Sequence, residues 1–202
     1  MTQLYLASQS PRRRELLSQI GVQYRVLDVA VEEQMQSDET PQDYVSRLAL
    51  EKSQAGWLSL SVQGLEAAPV LGADTIVELD GQVLEKPSNE DHAVQMLLSL
   101  SGRVHRVFTA VALTYKQHQQ LVVAVTEVGF AEISEAQARR YWATGEPKDK
   151  AGGYGIQGAG AVFVNHLSGS YSGVVGLPLF ETQNLLKQFD VGVWQFESIA
   201  ET

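Results

Sequence analysis

A short apolar run, Leu4-Tyr5-Leu6-Ala7, is followed by a polar turn, Ser8-Gln9-Ser10, and then by Pro11, Arg12, Arg13 and Arg14. Serine is a good N-cap and proline a good first helical residue, so a helix should open here with its free N–H groups and positive dipole end facing the turn. Such a turn suits an anion. Guanidinium groups stay charged at physiological pH and meet phosphate oxygens two at a time. Cations at the positive end of a helix are mildly unfavourable unless an anion offsets them, so a bound phosphate explains the arginines better than a solvated basic helix start. Successive helical residues are about 100° apart and cannot all face one ligand. Arg12 and Arg13 are the expected pair, with Ser8 and Ser10 beside them.

Carboxylates supply the second half of the chemistry. Asp74 interrupts Val70-Leu71-Gly72-Ala73-Asp74-Thr75-Ile76-Val77, a run otherwise suited to a buried strand. A carboxylate there is costly unless it is paired, hydrogen-bonded or bound to metal. Glu32 and Glu33 follow another apolar stretch, and since neighbouring extended residues face opposite ways, one of the two is expected to reach a given cleft. Acids near a phosphate site point to Mg²⁺, which takes one or two carboxylates together with water and substrate phosphates. A solvated loop at Glu32-Glu33 and a structural acid at Asp74 are the competing readings, and the sequence leaves them open. Lys52, Lys86, Lys148 and Lys150 gain meaning only through coincidence with the arginine site, where several cations could neutralise a polyphosphate.

The elements that must position these groups alternate along the chain. Helices are expected from Thr40-Pro41 to about Trp57, from Ser88-Asn89 to near Gly102, from the capping box Ser134-Glu135-Ala136-Gln137, and from Pro178 through Phe189. Strands are expected over 24–29, 70–79, 104–115, 121–130 and 161–165, with Lys116 to Gln120 joining two of them as a hairpin. The pattern predicts an α/β fold with a mixed twisted sheet and flanking helices. Residues 1–196 are expected to form a single domain with two lobes around a central cleft, and residues 197–202 a loosely held tail.

Gly153, Gly155 and Gly158 spell a literal G-x-G-x-x-G, but a charged loop precedes it and a strand-like run follows, so a dinucleotide fingerprint is rejected. Gln157 in that loop carries both a donor and an acceptor for a base edge. The four histidines are scattered, no P-loop pattern is present, and Tyr171 stands where a nucleophile elbow needs serine.

With 202 residues, 44% hydrophobic content and a net charge of −9, the chain can build a sizeable core but should repel nucleic acid over most of its surface. There is no cysteine, no apolar run long enough to span a bilayer and no secretory-type start, which predicts a cytoplasmic protein without membrane or stable nucleic-acid partners.

Taken in order, Ser8-Gln9-Ser10-Pro11-Arg12-Arg13, Val31-Glu32-Glu33, Glu51-Lys52, Gly72-Ala73-Asp74-Thr75, Glu85-Lys86-Pro87, Asp149-Lys150-Ala151-Gly152 and Val175-Gly176-Leu177-Pro178 closely resemble the Maf family of nucleoside triphosphate pyrophosphatases. The resemblance runs nearly from end to end, and Tyr154-Gly155-Ile156-Gln157-Gly158 is similar to the subgroup acting on dTTP and UTP. It implies a Maf/ITPase-like fold, a homodimer, and hydrolysis to the nucleoside monophosphate and pyrophosphate with Mg²⁺ or Mn²⁺. It casts Asp74 as proton acceptor and links Arg12, Thr75 and Gln157 to substrate choice. Lys52 and Lys86 are then expected to neutralise charge on the transferred group, with Glu33 or Glu32, and Asp74, on the metal. Removal of modified nucleotides and restraint of cell division are family roles. A pyrophosphatase for another modified nucleotide and a nucleotide-sensing regulator of cell division are the alternative readings. Arg14 is an extra cation outside the pattern.

Overall fold

The computed structural model describes residues 4–196; the expected tail at 197–202 lies outside them. Thirteen helices and strands follow one another as β1 (Tyr5–Ala7), α1 (Pro11–Gln19), β2 (Arg25–Val26), α2 (Pro41–Val62), β3 (Val70–Leu79), β4 (Gln82–Leu84), α3 (Glu90–Leu100), β5 (Val104–Tyr115), β6 (His118–Phe130), α4 (Glu135–Ala143), β7 (Val164–Ser168), α5 (Tyr171–Val175) and α6 (Leu179–Lys187). Short 3₁₀ turns occupy 146–149, 151–153 and 159–163. The strands form one mixed sheet in the order β2-β1-β3-β5-β6-β7, with β4 added alongside β3. β1 runs parallel to β2 and β3, while β3, β5, β6 and β7 are antiparallel.

Local chemistry explains most boundaries. Thr40 caps α2 by accepting from the Asp43 N–H, Asn89 caps α3 through the His92 N–H, and Ser134 and Gln137 form the reciprocal capping box of α4. α2 runs one turn beyond Trp57 because Leu60 is buried against Tyr5, Leu27 and Val70. The β5–β6 hairpin turns over only Lys116 and Gln117, with Lys116 at φ 55°. Gln119 belongs to the strand and donates to Thr114 Oγ1 at 3.0 Å. Two strand expectations shorten or shift: β2 keeps only Arg25–Val26 at the sheet edge, and 161–163 is 3₁₀, so β7 starts at Val164.

Three apolar layers hold the sheet. α2 packs Tyr44, Val45, Leu48 and Ala49 onto Ile76, Phe108, Ala110 and Ala112 on one face. Leu16, Leu17, Leu185 and Leu186 cover Leu6, Leu71, Val111 and Leu113 on the other. Val94, Leu97 and Leu100 of α3 close the far end with Tyr141, Tyr154 and Phe163. Each fully buried leucine contributes about 1.5–3 kcal/mol.

One small residue decides how α2 sits. A Cβ at Gly72 would run into the Ala49 carbonyl oxygen and the Ser53 amide. Glycine lets the helix backbone lie directly on β3, and that contact brings Lys52 over Asp74, two residues further along the strand.

Candidate active site

β1 ends level with Gly72 of β3, and β4 joins the same edge of β3 only from Val77 onward. Since β5 occupies the opposite edge throughout, Ala73 to Ile76 face an opening between two neighbouring strands. That opening leads into a cleft of about 810 Å³. Asp74 and Thr75 point to opposite faces of β3, yet both line the cleft because the sheet is interrupted beside them. The parallel pairing of β1 with β3 puts Ser8 to Arg13 at the carboxyl end of β1, next to the same opening, which is where open α/β sheets bind ligands.

Lys52, from α2, joins two acids. Its Nζ donates to Asp74 Oδ1 at 2.6 Å and to Glu33 Oε1 at 2.5 Å, and Lys86 Nζ stands 3.7 Å from Glu33 Oε2. Partial burial raises the Glu33 carboxyl, but the Lys52 hydrogen bond and the charges of Lys52, Lys86 and Arg13 outweigh it and hold the group below the usual range. Glu33 lines the cleft, whereas Glu32 is exposed and lies outside its lining. Neighbouring extended residues had left that choice open.

Arg13 is buried rather than extended into solvent. Its Nε donates to the Gly176 carbonyl at 2.9 Å, one terminal nitrogen to Ser8 Oγ at 3.1 Å and the other to Thr75 Oγ1 at 3.2 Å. Burial lowers its affinity for a proton and the Asp74 charge opposes this; guanidinium nevertheless stays charged. Three of its five N–H groups are therefore committed to the protein, leaving two for a ligand. Thr75 Oγ1 is also shared with Thr109 Oγ1 at 3.0 Å, so it links Arg13 to β5. Arg12 is more open and stands 3.7 Å from Asp149 across the cleft. A partly exposed pair of this kind is worth about 0–1 kcal/mol and yields readily to a phosphate.

Ser10 takes the N-cap position of α1, but its hydroxyl makes no cap hydrogen bond. The first-turn amides of α1 are thus left without a side-chain cap, as an anion site requires. Ser8, Ser10, Arg12, Arg13, Glu33, Lys52, Asp74, Thr75, Lys86, Lys150 and Gln157 all line the one cleft. Arg14 and Lys148 do not; Lys148 lies over the Trp142 ring. Gln157 is exposed at the tip of its loop.

Among the described residues no group of three or more His, Asp or Glu side chains could hold a metal unaided. The donor set instead offers two carboxylates joined by one ammonium, with Asp74 Oδ2 lacking a hydrogen-bond partner among the described residues. One or two carboxylates completed by substrate phosphates is the way Mg²⁺ is usually bound, so the residues fit a divalent cation that arrives with a polyphosphate. Among the described residues no helix is long and apolar enough to cross a membrane.

Two residues of the site were absent from the sequence reading. Tyr141 and Glu146 bond the loop carrying Gln157. Their signal was the glycine spacing itself, since a Cβ at Gly158 would collide with the Glu146 carboxylate.

A family model described as Maf-like protein matches residues 3–189. The dTTP/UTP pyrophosphatase of Saccharophagus degradans is 58% identical over 192 residues, 95% of this chain and 91% of the relative. Proteins of the same name from Alkalilimnicola ehrlichii and Shigella dysenteriae are each 54% identical, covering 93% of both chains and 94% of both chains respectively. Among solved structures, the Ham1 protein of Staphylococcus aureus aligns with a TM-score of 0.46 and 16% identity over 64% of this chain and 72% of that one. With a family match along almost all of its length and curated relatives above half identity, the chain belongs to the Maf-like protein family.

Proposed function

We propose that this protein hydrolyses dTTP and UTP to the nucleoside monophosphate and pyrophosphate. The observation that carries the reading is the convergence of Lys52, Asp74 and Glu33 with Arg12, Arg13 and an uncapped helix start around one cleft. The preference for these two nucleotides is supported by the names of relatives that match nearly the full chain.

In this reading Arg12, the two free N–H groups of Arg13 and the first-turn amides of α1 hold the triphosphate. Asp74 keeps one oxygen on Lys52 and uses Oδ2 to orient a water and accept its proton. The water oxygen forms a bond to the α-phosphorus while the bond from that phosphorus to the bridging oxygen breaks, and pyrophosphate departs with the electron pair. Lys52 and Lys86 offset the negative charge that builds on the transferred group. A divalent cation, Mg²⁺ or Mn²⁺, would be held by Glu33 beside Asp74 and would neutralise phosphate oxygens and the leaving group. Positioning and charge neutralisation supply the rate, with no covalent enzyme intermediate.

Residues 1–196 would act as a single two-lobed unit, as a homodimer in the cytoplasm. Gln157 would read the pyrimidine edge, and Thr75, holding Arg13, would assist from the phosphate side.

Pyrophosphate release measured across a nucleotide panel, with and without Mg²⁺, tests the proposal. UTP and dTTP should be consumed well ahead of CTP and the purine nucleotides, and Asp74→Asn should lose turnover while keeping triphosphate binding. Binding without turnover in the native protein would point to a nucleotide sensor and overturn the enzymatic reading.

A further inference from the structure

The loop that carries Gln157 is built around a carboxylate. Glu146 Oε1 accepts from the Tyr141 hydroxyl at 2.6 Å and from the Gly160 N–H at 3.1 Å, and its Oε2 accepts from the Ala159 N–H at 2.8 Å. The Tyr141 oxygen in turn accepts from the Gly155 N–H at 2.9 Å. Amides on both sides of Gln157 therefore end on one phenol–carboxylate pair, and Gln157 is exposed between them. Tyr141 is itself fixed, being buried on α4 with its ring edge-on to Phe163. A Cβ at Gly155 would stand 2.9 Å from Glu146 Oε1 and one at Gly160 2.5 Å from the Tyr141 oxygen. The glycine pattern is thus the mould of the clamp.

Glu146 lines the cleft, but its oxygens already take three donors. Burial would raise its carboxyl; the hydrogen bonds from Tyr141, Gly160 and Ala159 and the charge of Lys150 more than reverse this, so it is held ionised below the usual range. A carboxylate so engaged is a poor metal ligand and a poor general base.

We infer that Glu146 and Tyr141 are positioning residues for base selection, a clamp that holds the 155–160 segment in the one conformation that presents Gln157 to the base. The inference rests on the reading that this loop meets the base of a nucleoside triphosphate. Fixing the loop in the free protein removes an ordering cost that binding would otherwise meet. It also denies the loop the freedom to adapt to a wrong base.

The test compares kcat and KM for UTP and CTP in Tyr141→Phe, Glu146→Gln, the double variant and Gln157→Ala. Tyr141→Phe keeps the ring and removes only the hydroxyl. Glu146→Gln keeps the shape but turns an N–H donor toward a donor. Each is expected to raise KM for UTP and to shrink the UTP-to-CTP ratio of kcat/KM on the order of 10-fold, with kcat for UTP nearly kept. The double variant should lose no more than the worse single one, because both break one network. A variant that merely folds less well lowers kcat for both nucleotides alike and leaves the ratio unchanged, and that outcome overturns the inference. If Gln157→Ala abolishes the preference while the clamp variants keep it, the clamp is refuted and the Gln157 reading survives. If the clamp variants lose the preference and Gln157→Ala keeps it, the loop selects the base through its backbone and the clamp stands without Gln157. Preference kept in every variant refutes both.

Discussion

Replacing Lys52 with methionine would show what an ammonium does between two acids. Methionine preserves a long unbranched side chain and removes the charge. In the native site Nζ lies 2.6 Å from Asp74 Oδ1 and 2.5 Å from Glu33 Oε1. The two oxygens are then no more than about 5 Å apart, and without the cation they repel by about 3 kcal/mol at an effective dielectric constant of about 20. That corresponds to about 2 pH units. Loss of the direct attraction to Nζ pushes the same way, while solvent around the 45% exposed Glu33 side chain screens part of the repulsion. Pyrophosphate release from UTP, followed from about pH 5 to about pH 10, should show the acid limb of kcat/KM moved upward by that amount, with turnover partly recovered at the alkaline end. An acid limb left in its native place, with an equal loss at every pH, would refute the reasoning and reduce Lys52 to a charge facing phosphate.

Gly72→Ala should lower stability by about 1–3 kcal/mol and turnover at least about 10-fold, because the new methyl meets the backbone of α2 and lifts Lys52 from Asp74; native melting and native kcat together would exclude this. Glu33→Gln, at a side chain 45% exposed, should leave the melting temperature almost unchanged and raise the Mg²⁺ concentration for half-maximal activity about 10-fold, and an unchanged Mg²⁺ titration would remove Glu33 from the metal. His105 is buried with its Nε2 on the Tyr154 hydroxyl, and burial lowers it from 6.5 to about 4. Between those values the unfolded chain binds a proton that the folded chain refuses, so its stabilising effect is complete above about pH 6.5 and is lost as pH falls, by up to about 3 kcal/mol. Urea unfolding at about pH 7 and about pH 5 should reveal the slope, and His105→Gln should flatten it; a slope unchanged in the variant would assign it to other groups.

What could be read from the chain alone is what local chemistry writes into neighbouring residues. Strand, serine turn, proline and arginines are consecutive, and they fold as consecutive residues should, with Ser8 to Arg13 at the end of β1. Asp74 betrays itself because a charge in an apolar strand needs a partner. The partner itself was less legible: Lys52 lies on α2, and nothing in its surroundings on the helix distinguishes it from a surface lysine. Its pairing depends on Gly72 admitting the helix backbone, a contact between segments about 20 residues apart. Arg13 shows the same limit: its type and position announce a phosphate ligand, while the bonds that fix it, to Ser8, Thr75 and Gly176, the last 163 residues away, are invisible in the sequence.

The loop around Gln157 carries this furthest. Its glycines are conspicuous, and the dinucleotide fingerprint does not apply because a 3₁₀ turn and then β7, not an α-helix, follow them. Glycine in a loop, however, reports either a turn that needs unusual dihedrals or an object pressed against the backbone, and sequence cannot say which. At Gly158 φ is −109°, a negative value that does not by itself call for glycine. What excludes a side chain there is Glu146, fully twelve positions earlier. A phosphate grip can be built from one turn and a few charges, and so it is written locally. Holding one exposed amide at a fixed place in a cleft requires removing the freedom of its whole loop, which takes groups from another element; the part of the cleft proposed to select the base is therefore the part that only the folded chain displays.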